Sequence, residues 1–82
     1  MTIRQIVMRY RIIFTKHALQ KLQERQIPKR SVIETVLRPD QLVADGLKSY
    51  AFRRFGRICL KVIFVRDGNL IKIITQHFVD EP

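Results

Sequence analysis

Apolar and polar residues alternate from Ile6 to Phe14. Ile6, Met8, Tyr10, Ile12 and Phe14 fall on one side, Arg9 and Arg11 on the other. A period of two marks a strand with one buried face. Ile3, Ile6, Val7 and Tyr10 also fit helical spacing, so a helix over Ile3–Tyr10 is the alternative. Thr15 is a good N-cap, and Lys16 to Gln26 is rich in helix formers with an apolar stripe of Ala18, Leu19 and Leu22. Ile27-Pro28 breaks that pattern, and Pro28 suits a first helical turn. Ser31 and Glu34 have capping-box spacing, Val32, Ile33, Val36 and Leu37 make a second stripe, and Arg38-Pro39-Asp40 ends it.

The rest reads as strands: a short peripheral one at Gln41–Ala44, then Tyr50–Phe55, Ile58–Val65 and Leu70–Phe78. Gly56-Arg57 and Asp67-Gly68 supply the hairpin turns between the last three. The order β-α-α-β-β-β-β predicts an α+β fold, with two helices packed on an antiparallel sheet. There is no repeat, low-complexity stretch or domain-sized linker, so residues 1–82 form a single domain.

At 82 residues and 9.8 kDa, one small core is the expectation. No apolar run approaches the roughly 20 residues that span a bilayer, and the first residues do not read as a secretory signal. A cytoplasmic protein is therefore expected. Cys59 is the sole cysteine, which excludes an internal disulfide; in mid-strand it reads as a small core residue rather than a nucleophile. The three glycines are isolated, with no phosphate loop or dinucleotide fingerprint, and the acids lack metal-binding spacing. No cofactor is implied.

Charge changes the picture. Sixteen Lys and Arg against seven Asp and Glu leave +9. Five bases and no acid lie between Met1 and Gln23, and six bases and no acid between Gly46 and Arg66. If the two stretches meet in space they make a positive face for a polyanion, and nucleic acid is the leading partner. The bland alternative is solvated charge that keeps the chain soluble. A membrane surface fits less well, because the N-terminal segment is not a basic amphipathic helix.

Both histidines of the chain are candidates for proton transfer. His17, second in the first helix, lies about 150° from the centre of the Ala18-Leu19-Leu22 stripe, by the helical step of roughly 100° per residue. It therefore points away from the core. A helix N-terminus disfavours its imidazolium and favours a phosphate, which suits a general base. His77, near the end of the last strand, shares a face with Ile71, Ile73 and Thr75; it is a second proton-transfer group or a packed sheet residue. Arg25 would orient phosphate near His17 or pair with Glu24 or Glu34. Lys61 alternates with Cys59 and Ile63, so it either snorkels or marks a wet cleft. Arg53, Arg54, Arg57, Lys16 and Lys21 are candidate phosphate contacts.

Phe14-Thr15-Lys16-His17-Ala18, Arg25-Gln26-Ile27-Pro28 and Val36-Leu37-Arg38-Pro39-Asp40 carry a resemblance. They resemble the domain of unknown function 4258 family, whose pattern opens F-T-x-H-A, continues E-R-x-I and closes V-L-x-x-P. Ile73-Ile74-Thr75-Gln76-His77 is similar to that family's end, a Thr with an aromatic residue two positions on; His77 departs from it. The resemblance implies a fold similar to the RelE, ParE and BrnT toxins, with two helices against a curved antiparallel sheet. It also implies a metal-independent ribonuclease, ribosome-associated or free, that acts as a toxin neutralised by an antitoxin. His17, Arg25 and Thr75 match emphasised positions of the pattern, whereas Lys61 and Arg53 come from charge and strand position alone.

The leading expectation is an endoribonuclease in which a ribose 2′-OH attacks its own 3′ phosphate. His17 would move the proton and Arg25, Arg53 and Lys61 would offset phosphorane charge. The rivals are a non-catalytic nucleic-acid or ribosome binder and a protein-directed toxin. An acidic antitoxin is the expected protein partner under each, steered by the +9 charge.

Overall fold

A computed structural model describes residues 9–80. The chain runs β1 (Arg11–Phe14), α1 (Lys16–Arg25), α2 (Lys29–Leu37), β2 (Gln41–Asp45), β3 (Lys48–Phe55), β4 (Ile58–Asp67) and β5 (Leu70–Val79). This is the expected α+β order. The part of the first strand expected over Ile6–Met8, and most of its helical alternative, lie outside the described residues.

The five strands form one sheet in the order β1-β5-β4-β3-β2. It is mixed, not antiparallel throughout: β1 pairs with β5 in parallel, Arg11 opposite Leu70 and Phe14 opposite Ile73. The reason is connectivity. Two helices and three strands separate β1 from β5, so no hairpin turn imposes antiparallel pairing on them. The remaining neighbours are hairpins, each turning on a glycine at positive φ in the first loop position, as at Gly68 (φ 63°) in Asp67-Gly68-Asn69-Leu70.

Both helices cover one face. Ala18 and Leu22 of α1, Ile27 of the connection after it, and Val32 and Val36 of α2 pack on Ala51, Leu60, Val62, Phe64, Ile71 and Ile73. Leu19, expected in the stripe of α1, is 45% exposed, and Leu37 of α2 is also exposed. The core-facing arc of each helix is narrower than its apolar residues suggest. Thr35 fills the buried position instead in α2, its hydroxyl donating to the Ser31 carbonyl at 2.8 Å. The capping box at Ser31 is corrected as well: the helix starts at Lys29 with Pro28 as N-cap, so Ser31 lies inside it.

A bulge in β5 controls which residues reach which face. Phe64 pairs with Ile73 and Ile63 with Thr75, so Ile74 is an extra residue on β5. Before it, Ile71 and Ile73 face the helices. After it the phase is reversed: Gln76 turns under α1, its Nε2 donating to the Ala18 carbonyl at 2.9 Å, and Thr75 and His77 turn to the other face.

The segment Phe14–Arg25 caps the edge that β5 presents beyond β1. Thr15 N donates to the Ile73 carbonyl (3.0 Å), Thr15 Oγ1 to the Ile74 carbonyl (3.2 Å) and Arg25 Nη1 to the Gln76 carbonyl (2.8 Å). Acceptors that an edge strand leaves open are thereby used.

A candidate active site on the open face of the sheet

The face opposite the helices carries Tyr50, Phe52 and Arg54 from β3, Cys59, Lys61 and Ile63 from β4, and Thr75, His77 and Val79 from β5. Hairpin register sets their positions. Lys61 lies directly opposite Phe52 on one side and His77 on the other, and directly opposed residues have Cβ atoms about 5 Å apart. The ammonium of Lys61 sits 4.9 Å from the centroid of the Tyr50 ring and 5.7 Å from that of Phe52. Two aromatic faces therefore hold a cation that the sheet leaves half-buried. Tyr50 is fixed in turn by its hydroxyl, which donates to Asp45 Oδ2 at 3.0 Å.

His77 is half-buried beside this cation. Its imidazole is held below the ordinary histidine value by partial burial first, and then by the positive charges of Lys61 and Arg25. The neutral ring is thus the favoured form near neutral pH. Arg25 reaches the same place from α1, tethered at the β5 edge by one terminal nitrogen. Thr75 precedes His77 by one pleat on the same face, and Arg54 lies diagonally across from Lys61. Arg25, Lys61, Thr75 and His77 therefore gather around one stretch of β5.

The expected grouping of His77 with Ile71 and Ile73 is corrected by the bulge, which places His77 on the opposite face. His17 is exposed on α1, and among the described residues no hydrogen bond or ion pair engages its imidazole. Arg53 and Lys61 are on adjacent strands but opposite faces: Arg53 points to α2, bonding the Arg38 carbonyl (2.6 Å) and Glu34 Oε2 (3.2 Å). Its charge holds α2 to the sheet. Arg57 lies exposed in the β3–β4 turn, Lys16 is exposed on α1, and Lys21 pairs with Glu24 at 2.9 Å. The positive charge is spread over both faces rather than collected on one.

The sequence reading missed Tyr50 and Phe52. The signal was available, because a two-residue turn at Gly56-Arg57 pairs Phe55 with Ile58 and, counting back, Phe52 with Lys61. Cys59, as expected, is buried. No helix among the described residues is long and apolar enough to cross a membrane. Comparison with protein-family models, with curated proteins and with solved structures finds no match.

Proposed function

We propose that the protein is a metal-independent endoribonuclease of the cytoplasm, working at the open sheet face around His77, Lys61 and Arg25. The observation that carries this reading is a neutral-favouring imidazole beside a cation that two aromatic rings hold, with the half-buried Tyr50 ring next to it. A neutral base beside cations is what cleavage by an internal 2′-OH requires. His77 accepts the 2′-OH proton as that oxygen bonds to the adjacent phosphorus. The bond to the 5′ oxygen breaks, and that oxygen takes a proton from water. The products are a 2′,3′-cyclic phosphate and a 5′-hydroxyl. Lys61 and the free edge of the Arg25 guanidinium offset the charge on the phosphorane, while the Thr75 hydroxyl is placed to donate to a phosphate oxygen. The half-buried Tyr50 ring gives a base a surface to stack on.

This moves the principal base from His17 to His77 and leaves His17 as a surface residue. The resemblance to the domain of unknown function 4258 family and to RelE-like toxins supports the same reaction class. It adds the proposal that the protein is a toxin held in check by an acidic antitoxin. The test follows end-labelled RNA, free and in a translating extract, in excess chelator. Wild type and H17A should cleave and H77Q should lose about 10²–10⁴-fold, the range of general-base assistance. Equal cleavage by H77Q would remove His77 from the mechanism. Tight binding with intact RNA in every arm would replace the enzyme with a binding module.

A further inference from the structure

A second group of cations lies at the β4–β5 hairpin, away from the open-face cluster. Arg66 pairs with the core residue Ile71, so its side chain leaves β4 on the helix side, while Asp67 next to it leaves on the other. Arg66 is held at two points. Its Nε donates to the Gly68 carbonyl at 2.9 Å, and its guanidinium lies over the Tyr10 ring, 4.9 Å from the centroid. Tyr10 packs against the core, and the amide of the next residue, Arg11, donates to the Asn69 carbonyl at 2.8 Å. Together with Arg9 and Asn69 these groups enclose a cleft of about 320 Å³. Among the described residues no carboxylate lines it and Arg66 makes no ion pair.

This is an arginine prepared for an anion. One N–H and one ring face are used to fix the fork, and among the described residues the terminal nitrogens have no hydrogen-bond partner, with little side-chain entropy left to lose. Their planar geometry matches two phosphate oxygens. Arg9 adds a second positive charge at the rim. By strand rise, Arg66 lies five residues or about 17 Å along β4 from Lys61. The hairpin ends the sheet there, so an extended strand can pass around its tip from one face to the other.

We propose that the Arg9–Tyr10–Arg66 cleft binds a phosphodiester of the same RNA strand that lies across Lys61 and His77, anchoring it several nucleotides from the reacting bond. The proposal rests on the reading of this protein as RNA-binding. Its test separates the two. A single-stranded 2′-O-methyl oligoribonucleotide, which cannot be cleaved, is titrated into wild type, R66Q and R66K over a range of salt. R66Q should bind several-fold more weakly, with a salt slope smaller by about 0.7, the value for one lost phosphate contact on a single strand. R66K should keep the slope and lose part of the affinity. Unchanged slope and affinity in R66Q would overturn the proposal.

In parallel, the Nε–Hε NMR signal of Arg66 is followed with inorganic phosphate. Movement with phosphate while the oligonucleotide fails to bind would sink the ribonuclease reading and the RNA anchor with it, leaving the cleft as an anion site; oligonucleotide binding that R66Q leaves unchanged would sink the anchor alone. A signal unmoved by either probe overturns the cleft. So does one that moves only with a glutamate-rich peptide, which would point to an acidic protein instead.

Discussion

Thr15→Val removes a single hydroxyl that joins α1 to β5, and its cost can be worked from two bonds. Thr15 Oγ1 accepts from Ala18 N at 3.0 Å as the N-cap of α1. An N-cap lost to an aliphatic residue costs about 1 kcal/mol. The same hydroxyl donates to the Ile74 carbonyl at 3.2 Å, in the bulge. A partly buried neutral bond of that kind contributes about 0.5–1.5 kcal/mol. Valine keeps the shape and β-branching, so packing changes little, and the total is about 2 kcal/mol. For a domain of this size 1 kcal/mol moves Tm by roughly 4–8 °C, so T15V should melt roughly 8–16 °C lower. Thr15→Ser keeps both bonds and should stay close to wild type. Thermal and urea unfolding followed by circular dichroism measure both variants, and amide exchange adds a local readout. With the bulge released from α1, the Gln76 and His77 amides should exchange faster than those of β3. A T15V melting point within about 3 °C of wild type, or equal losses in T15V and T15S, would refute the claim that this hydroxyl pins the bulge.

Lys61→Met should raise the His77 titration toward the ordinary histidine value, because it removes one of the two cations that lower it; imidazole NMR across pH reads this directly. The same shift predicts how stability varies with pH. The unfolded state binds the His77 proton below about 6.5, whereas the folded state resists it, so stability is full above 6.5 and declines as pH falls through the folded value. His77→Gln should flatten that decline in urea titrations. Arg53→Met should cost about 1 kcal/mol of stability: the bond to the Arg38 carbonyl is lost, the half-exposed pair with Glu34 is weakly stabilising, and a buried Nε without a partner is removed. It should leave RNA affinity near wild type, while Arg54→Gln, on the open face, should weaken it.

The elements that end in strong local signals were legible in the sequence. Thr15 marked the start of α1, Pro28 the start of α2, and the glycine turns at Gly56 and Gly68 fixed two hairpins and hence the pairing of Lys61 with Phe52. The features that escaped depend on contacts between distant segments. The parallel pairing of β1 with β5 has no local code. The Ile74 bulge is likewise invisible to alternation, since Ile71 to His77 reads as an unbroken strand; only the packing of Gln76 beneath Ala18 breaks the phase. That single residue decides the face of His77 and therefore the composition of the candidate site. Arg25 was a candidate for its charge and its place in the motif, but its partner, a backbone carbonyl on β5, could not be read from side-chain chemistry. Arg53 was not legible as a partner of α2 for a related reason: strand parity shows that it faces away from Lys61, and the helix it meets is known only from the fold.

Mass spectrometry of the RNA ends left after incubation in chelator tests the central claim most directly, with wild type and H77Q in parallel. The geometry predicts 2′,3′-cyclic phosphate and 5′-hydroxyl ends from wild type, and their near disappearance with H77Q. Intact RNA with wild type, 3′-hydroxyl ends, or cyclic phosphates formed equally by H77Q would contradict it.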